Sequence, residues 1–447
     1  MMADTGLAAT AVRAGAVRTW WSRASGQGQR VAGARQALLL GGGAALGQGV
    51  AVLSAPLLTR LYDVASFGVF GSFGAAASCL ACVATLRLDQ AILLERDEDA
   101  AGDVLRLCVL SVGAVTLASA LGAAALGAAG GVARVPGAVL ALLPCAVASG
   151  GVVPALSLWF VRRERFGPVA AYGASRSGFA VALQGLGGWL GVPGAGLLVG
   201  GQVAGQALAA AGLARAGGAG LRAALCRGWS VARLRGALLR HRGFALYGAP
   251  QVLLRLLSTS LPAMLLPLFF GAAEAGLFWL AYRMLVLPQQ VLTESLRPVF
   301  FRRAAALHAA GGDVRGAALR LAAGLGALCL PVAAVLVLAG PALFGAVFGP
   351  AWRGAGHDAA MIALAWCVET MQMPSAVLVS VLGRQRAYLG IEAASLLART
   401  AALCAGAAWG GPDLAVGLYA AAWAATNAGV IAWMTWPPAG RARGAGA

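Results

Sequence analysis

Apolar residues occur along this chain in about twelve blocks of about 20–27 residues, each long enough for a helix to cross the ~30 Å hydrocarbon layer of a bilayer. The blocks lie near 37–58, 66–87, 104–129, 136–160, 168–190 and 194–214, then near 243–269, 274–297, 317–339, 357–383, 387–409 and 414–436. A basic stretch, 216–242, divides the first six from the last six. The pattern predicts an all-α polytopic membrane protein with about twelve transmembrane helices in two six-helix halves. Its expected parts are a basic tail (1–36), a first bundle (37–215), an interfacial linker (216–242), a second bundle (243–436) and a short tail (437–447). The linker interleaves Leu221, Leu225, Trp229, Leu234, Leu238 and Leu239 with arginines, as helices lying at an anionic leaflet do. The first tail is too long and its arginines too spread for a signal peptide, and a full span follows it.

Two neighbouring blocks break the apolar rule in a regular way. Between 243 and 269, Tyr247, Gln251, Arg255 and Ser258 or Thr259 fall on one helical face. Between 274 and 297, Arg283, Gln290, Glu294 and Arg297 form a similar stripe. An arginine at a helix centre costs roughly 3 kcal/mol on insertion scales, so such residues turn away from lipid. These stripes read as the wall of a water-filled cavity; the alternative is static packing, such as Arg283 paired with Glu294. Arg176, beside Tyr172 and Ser175, is a third deep arginine. Glu369 has no basic residue in its own helix and reads as an ion-coupling group, as does Glu294. Glu392 and Arg399, bridged by Ser395, read as a structural pair.

Charge then orients the chain. Only 11% of residues are charged, against about 25% for soluble proteins. All 34 basic residues are arginine, alongside abundant alanine and glycine, which reads as base composition more than chemistry. One alternate set of connections holds Arg96, Arg162, Arg163, Arg165, Arg302, Arg303, Arg315, Arg384, Arg386 and the linker arginines. The other holds only Arg60, Arg134 and Arg353. Both termini and the rich loops are therefore expected in the cytosol. No polar segment is long enough to fold as a nucleic-acid module, so no nucleic-acid partner is expected despite the +18 net charge. The eight cysteines, including the Cys79-x-x-Cys82 spacing inside a span, read as small apolar filler, and no metal is expected.

Several short motifs, taken in order, resemble a known family. Ala55-Pro56-Leu57-Leu58-Thr59-Arg60-Leu61-Tyr62, Ser66-Phe67-Gly68-Val69-Phe70 and Ala84-Thr85-Leu86-Arg87-Leu88-Asp89-Gln90-Ala91-Ile92 are similar to the start of polysaccharide biosynthesis flippases. These are the Wzx-type O-antigen and exopolysaccharide transporters of the multidrug/oligosaccharidyl-lipid/polysaccharide exporter superfamily. Ala275-Gly276-Leu277-Phe278, Ala281-Tyr282-Arg283, Val299-Phe300-Phe301-Arg302-Arg303-Ala304 and Phe348-Gly349-Pro350-Ala351-Trp352-Arg353-Gly354-Ala355-Gly356 resemble its second half. Phe67–Phe70 and Ala275–Phe278 open corresponding spans, as an internal repeat would.

The resemblance implies two six-helix bundles around a central cavity, alternating access, and undecaprenyl-diphosphate-linked oligosaccharide as cargo in the bacterial inner membrane. It brings no catalytic signature. The cavity residues, Arg255, Arg283, Gln251, Arg176 and Gln290, rest on helical spacing instead, with guanidinium groups matched to diphosphate oxygens. Expected partners are the lipid-linked oligosaccharide, membrane lipids, and a glycan polymerase or glycosyltransferases; no cofactor is expected beyond a proton or sodium gradient. A cation-coupled multidrug exporter of the same fold would place acids in the first half's spans, and the first span's notable polar residues are Gln48 and Ser54. A membrane glycan polymerase or ligase would need catalytic acids or histidines in a loop, and His241, His308 and His357 have no evident sequence partner.

Overall fold

The computed structural model describes residues 42–43, 45–128, 136–191, 194–226 and 228–435. The tails, Arg134, Val192 and Arg227 lie outside them. Among the described residues every regular element is helical. The first half comprises α1 (Ala45–Leu61), α2 (Val64–Ala84), α3 (Glu98–Ala128), α4 (Gly137–Arg162), α5 (Phe166–Trp189) and α6 (Ala195–Ala216). Two short helices, α7 (Gly218–Cys226) and α8 (Val231–Gly243), lead to the second half. That half holds α9 (Ala249–Phe269), α10 (Ala272–Ala309), α11 (Val314–Phe348), α12 (Arg353–Val381), α13 (Gln385–Trp409) and α14 (Gly411–Thr435). Nine helical stretches among the described residues are long and apolar enough to cross a membrane. The more polar α5 and α10 and the shorter α1 complete the twelve, and the protein is a multi-pass membrane protein.

Several helices overrun their apolar blocks because hydropathy marks only what lipid would cover, whereas backbone hydrogen bonding continues until a cap or turn stops it. Apolar character in α11 was expected over 317–339, yet the helix starts where Asp313 accepts from the Gly316 amide at 2.8 Å. It ends at Gly349, whose φ of 111° suits glycine. The α2–α3 connection is similarly explicit: Leu86 and Arg87 adopt left-handed backbone (φ 50° and 58°), and Thr85 Oγ1 donates to the buried Asp89 carboxylate at 2.7 Å. Arg162 closes that loop by donating to the Ile92 and Asp97 carbonyls at 3.0 and 3.3 Å.

The linker is helical and belongs physically to the first half. Leu234 and Ala237 of α8 are buried, and Ala237 joins an apolar cluster with Ala101 and Leu105 of α3. Polar contacts reinforce this docking. Asp103 pairs with Arg106 and faces Arg233 at 3.9 Å, while Glu95 meets Arg240 at 3.3 Å and His241 at 2.8 Å. Burial pushes the Glu95 pKa up, but hydrogen bonds and charge from His241 and Arg240 outweigh it and hold the carboxyl below its ordinary value. A π-helical turn, Phe244–Gly248, then carries the chain into α9.

Glycine sets how closely the helices approach, as in other membrane bundles. Within the second half, α11 and α12 cross at Gly340 and Gly356, where a Cβ on Gly356 would overlap the Gly340 carbonyl. Gly356→Val is therefore expected to cut the amount of folded protein several-fold, measured as detergent-stable monodisperse protein. Unchanged yield would show that this crossing can spread.

Candidate substrate cavity

The two halves meet mainly where α2 packs on α9 and α10. At one end of this seam the two repeat motifs cross. A Cβ on Gly68 would overlap the Ala272 carbonyl, and one on Gly276 would overlap that of Val64. Aromatic rings close around the crossing: Phe67 lies 5.0 Å from Trp352 and 5.8 Å from Trp279, and Phe70 lies 5.1 Å from Trp279. Trp352, buried, donates its Nε1–H to the Thr59 carbonyl at 3.0 Å, tying the start of α12 to α1. The Thr59, Phe67, Gly276 and Trp352 motifs, scattered in sequence, thus form one seal at the arginine-poor end.

Behind the seal the halves diverge around a cavity of about 600 Å³. Its walls come from α2, α4, α5, α6, α9 and α10, so both halves contribute. Arg176 of α5 and Arg283 of α10 are the only charged residues lining it among the described residues, and they face each other closely enough to repel. Both also line a second pocket of about 50 Å³ bounded by Gln48, Ser177, Gln184 and Gln202. The arginines therefore stand between a large chamber and a small amide-rich one. Arg283 lies 4.8 Å above the Trp279 ring. At that distance the face of the indole attracts the guanidinium and helps to fix its position. Among the described residues neither arginine joins an ion pair.

The expected residues divide between two places. Arg176, Arg283 and Gln290 line the cavity, as do Tyr172 and Thr259. Arg255 and Gln251 do not: both are exposed on α9, one and two turns before Thr259. Arg255 instead shares its electrostatic surroundings with Arg297 of α10 and Glu369 of α12, inside the second half. The cross-half partner of Arg283 is Arg176. Glu294 is exposed and no ion pair joins it to Arg283. Sequence spacing overlooked Gln202 and Gln206, one turn apart on α6, and Tyr282. Two glutamines at i and i+4 in a helix built, up to Arg215 in its last turn, of Gly, Ala, Val and Leu were the available signal.

A separate polar network fills the second half. Glu369 accepts from Gln289 Nε2 at 3.4 Å. Arg399 corrects the expected pairing with Glu392: its guanidinium donates to Ser258 at 3.2 Å and to Thr426 at 3.0 Å. Two helical turns separate 392 from 399, roughly 10 Å along the axis, while α9 and α14 lie alongside the arginine. Near this network α9, α10, α12 and α13 bring Arg255, Arg297 and Arg399 near Glu369 and Glu392, so opposite charges accompany each other there. Among the described residues the cavity between the halves has only the positive sign. Among the described residues no group of three or more His, Cys, Asp or Glu could hold a metal ion, and all eight cysteines are free thiols.

A family model described as "Polysaccharide biosynthesis protein" matches residues 57–356. The chain belongs to the polysaccharide biosynthesis protein family. Among solved structures, the inward-closed form of the lipid II flippase MurJ aligns over 89% of this chain and 86% of its own, with 10% identity and a TM-score of 0.64. An inward-facing multidrug resistance MATE transporter of the MOP superfamily aligns over 89% and 93%, at 12% identity and a TM-score of 0.62. A MOP superfamily transporter from Pyrococcus furiosus, described as having a binding pocket of reverse polarity, aligns over 89% and 94%, at 13% identity and a TM-score of 0.59. At these identities the likeness establishes the fold: this family member has the two-lobed architecture of MOP superfamily transporters. No curated protein sequence matches it.

Proposed function

We propose that this polysaccharide biosynthesis family member is a flippase, not an enzyme. It moves undecaprenyl-diphosphate-linked oligosaccharide, a polysaccharide or O-antigen repeat unit, from the cytosolic to the outer leaflet of the bacterial inner membrane by alternating access. The observation that carries this reading is the cavity between the lobes, where Arg176 and Arg283 are the only charges among the described residues. In a low-dielectric chamber two unpaired guanidinium groups attract an anion strongly, and their planar donors fit phosphate oxygens. A diphosphate offers oxygens to both. Glutamines at 202, 206 and 290 and the amide-rich side pocket supply hydrogen bonds for sugar hydroxyls. The arginine-rich face is then cytosolic, where glycosyltransferases would deliver cargo, and the seal at Gly68 and Gly276 closes the outer end.

Deleting the gene tests the reading: lipid-linked oligosaccharide should accumulate on the cytosolic leaflet, and normal surface glycan with no accumulation would refute it. Cationic drugs are not expected substrates, since among the described residues no carboxylate lines the cavity. Expression in a pump-deficient host should leave sensitivity to cationic dyes unchanged; raised resistance would favour the multidrug-exporter reading.

Glu369, held by Gln289 and away from the cavity, is the proposed ion-coupling group, with either a proton or sodium gradient as driver. Glu294 is exposed and less suited to that role. Glu369→Gln in vesicles should retain cargo binding and lose at least about tenfold of gradient-driven transport, as expected for an intramembrane relay carboxylate. Wild-type gradient dependence in this variant would exclude Glu369.

A further inference from the structure

The linker helix α8 has three distinct faces. Leu234, Ala237 and His241 turn towards α3 and the Glu95 loop. Arg233 and Arg240 occupy one edge and are spent on first-half carboxylates, Asp103 and Glu95. The remaining face, 100–120° away from the buried one, carries Val231, Arg235, Leu238, Leu239 and Arg242, which recur at helical spacing. Val231 is 83% exposed and Leu239 54%. Neither Arg235 nor Arg242 joins an ion pair among the described residues.

A face that alternates large apolar side chains with unneutralised arginines is poorly suited to water alone or to a dry protein interface. It suits the boundary between acyl chains and headgroups, where leucines enter the apolar layer and arginines reach outward to phosphate. Depth agrees with this. Ala237 shares an apolar cluster with Ala101 and Leu105, and Arg233 reaches Asp103, where α3 passes from the acidic residues Glu98, Asp99 and Asp103 into its apolar run. Just before the helix, Trp229 is 54% exposed and anchors its Nε1–H on the Leu225 carbonyl at 2.7 Å. Exposed Trp rings are characteristic of that boundary.

We propose that the outward face of α8, centred on Arg235, Leu239 and Arg242, is a binding surface for acidic phospholipid in the leaflet at the arginine-rich end. The committed and uncommitted arginines divide the labour: Arg233 and Arg240 clamp α8 to the first half, and Arg235 and Arg242 bind headgroups. The linker is thereby held between protein and lipid. This site is separate from the cavity arginines and does not depend on the identity of the cargo.

The test uses the full chain in nanodiscs, with a genetically encoded fluorescent amino acid replacing Leu239. Quenching is compared between equal small fractions of doxyl-labelled phosphatidylglycerol and doxyl-labelled phosphatidylcholine in a phosphatidylcholine host. Each arginine near an anionic surface contributes about 1 kcal/mol, about fivefold in local enrichment. Quenching by the phosphatidylglycerol probe should therefore be at least about threefold more efficient, and the preference should shrink at high salt. Arg235→Gln with Arg242→Gln should bring the two probes level, whereas Arg222→Gln, on α7, should not. Equal quenching by both probes in the native charge state would overturn the preference for acidic lipid. Absence of quenching by either would place the face in water or against another protein and overturn the proposal entirely.

Discussion

Replacing Arg283 with glutamine is expected to abolish cargo export while leaving membrane abundance near normal. Arg176→Gln should do the same, because the two guanidinium groups line one cavity from opposite halves of the protein. A hydrogen bond to a charged partner is worth about 1.5–3 kcal/mol, so each loss should weaken cargo binding about 10–150-fold. Abundance separates this role from a structural one. Among the described residues neither arginine joins an ion pair, so removing it strands no buried carboxylate. Lysine keeps the charge and loses the paired planar donors, and at position 283 it also loses guanidinium stacking on Trp279. Partial export by Arg283→Lys is the expected signature. Arg255→Gln, facing the second half's own network instead of the cavity, should reduce export far less. Equal loss in Arg255→Gln and Arg283→Gln would restore the pairing that helical spacing alone suggested.

That contrast shows what the sequence could and could not reveal. Nine spans among the described residues were legible because a 20-residue apolar run is a one-dimensional property, and the π turn at Phe244–Gly248 did not obscure them. Arg176 and Arg283 could be marked individually as deep charges. Their pairing could not, because it depends on how α5 of one lobe faces α10 of the other, which no periodicity encodes. Arg255 shares a helical stripe with Gln251 and Thr259, yet of the three only Thr259, a turn further along α9, lines the cavity. The likeness between Phe67–Phe70 and Ala275–Phe278 was readable as a repeat, but only the structure places the two copies against each other. Likewise the Glu392–Arg399 pairing failed because helices alongside offered Arg399 the nearer hydroxyls of Ser258 and Thr426.

Gly276→Val is expected to abolish export through the opposite fault, a cavity that cannot close at the outer end. A side chain there collides with the Val64 carbonyl, which belongs to a helix backbone and cannot rotate aside. The same holds for Gly68→Val against Ala272. Forcing the lobes apart also separates Trp352 from Thr59 and the Phe67 and Phe70 rings from Trp279. Cys82 lines the cavity and reports the result. In a variant whose only cysteine is Cys82, an impermeant thiol reagent applied from outside should label Gly276→Val much faster than its Gly276 parent. Gly276→Ala, with the smallest possible side chain, should fold, label at an intermediate rate and retain reduced export. If folded Gly276→Val exports normally or Cys82 stays protected, the crossing is not the outer seal.

The central claim is that Arg176 and Arg283 together hold the diphosphate of a lipid-linked cargo. Calorimetric titration of the purified protein with farnesyl diphosphate, using farnesol as the uncharged comparison, addresses it most directly. Saturable binding of the diphosphate should exceed that of the alcohol, fall by at least about 30-fold in an Arg176→Gln, Arg283→Gln double variant, and persist in Arg255→Gln. Unchanged diphosphate affinity in a folded double variant would contradict the claim.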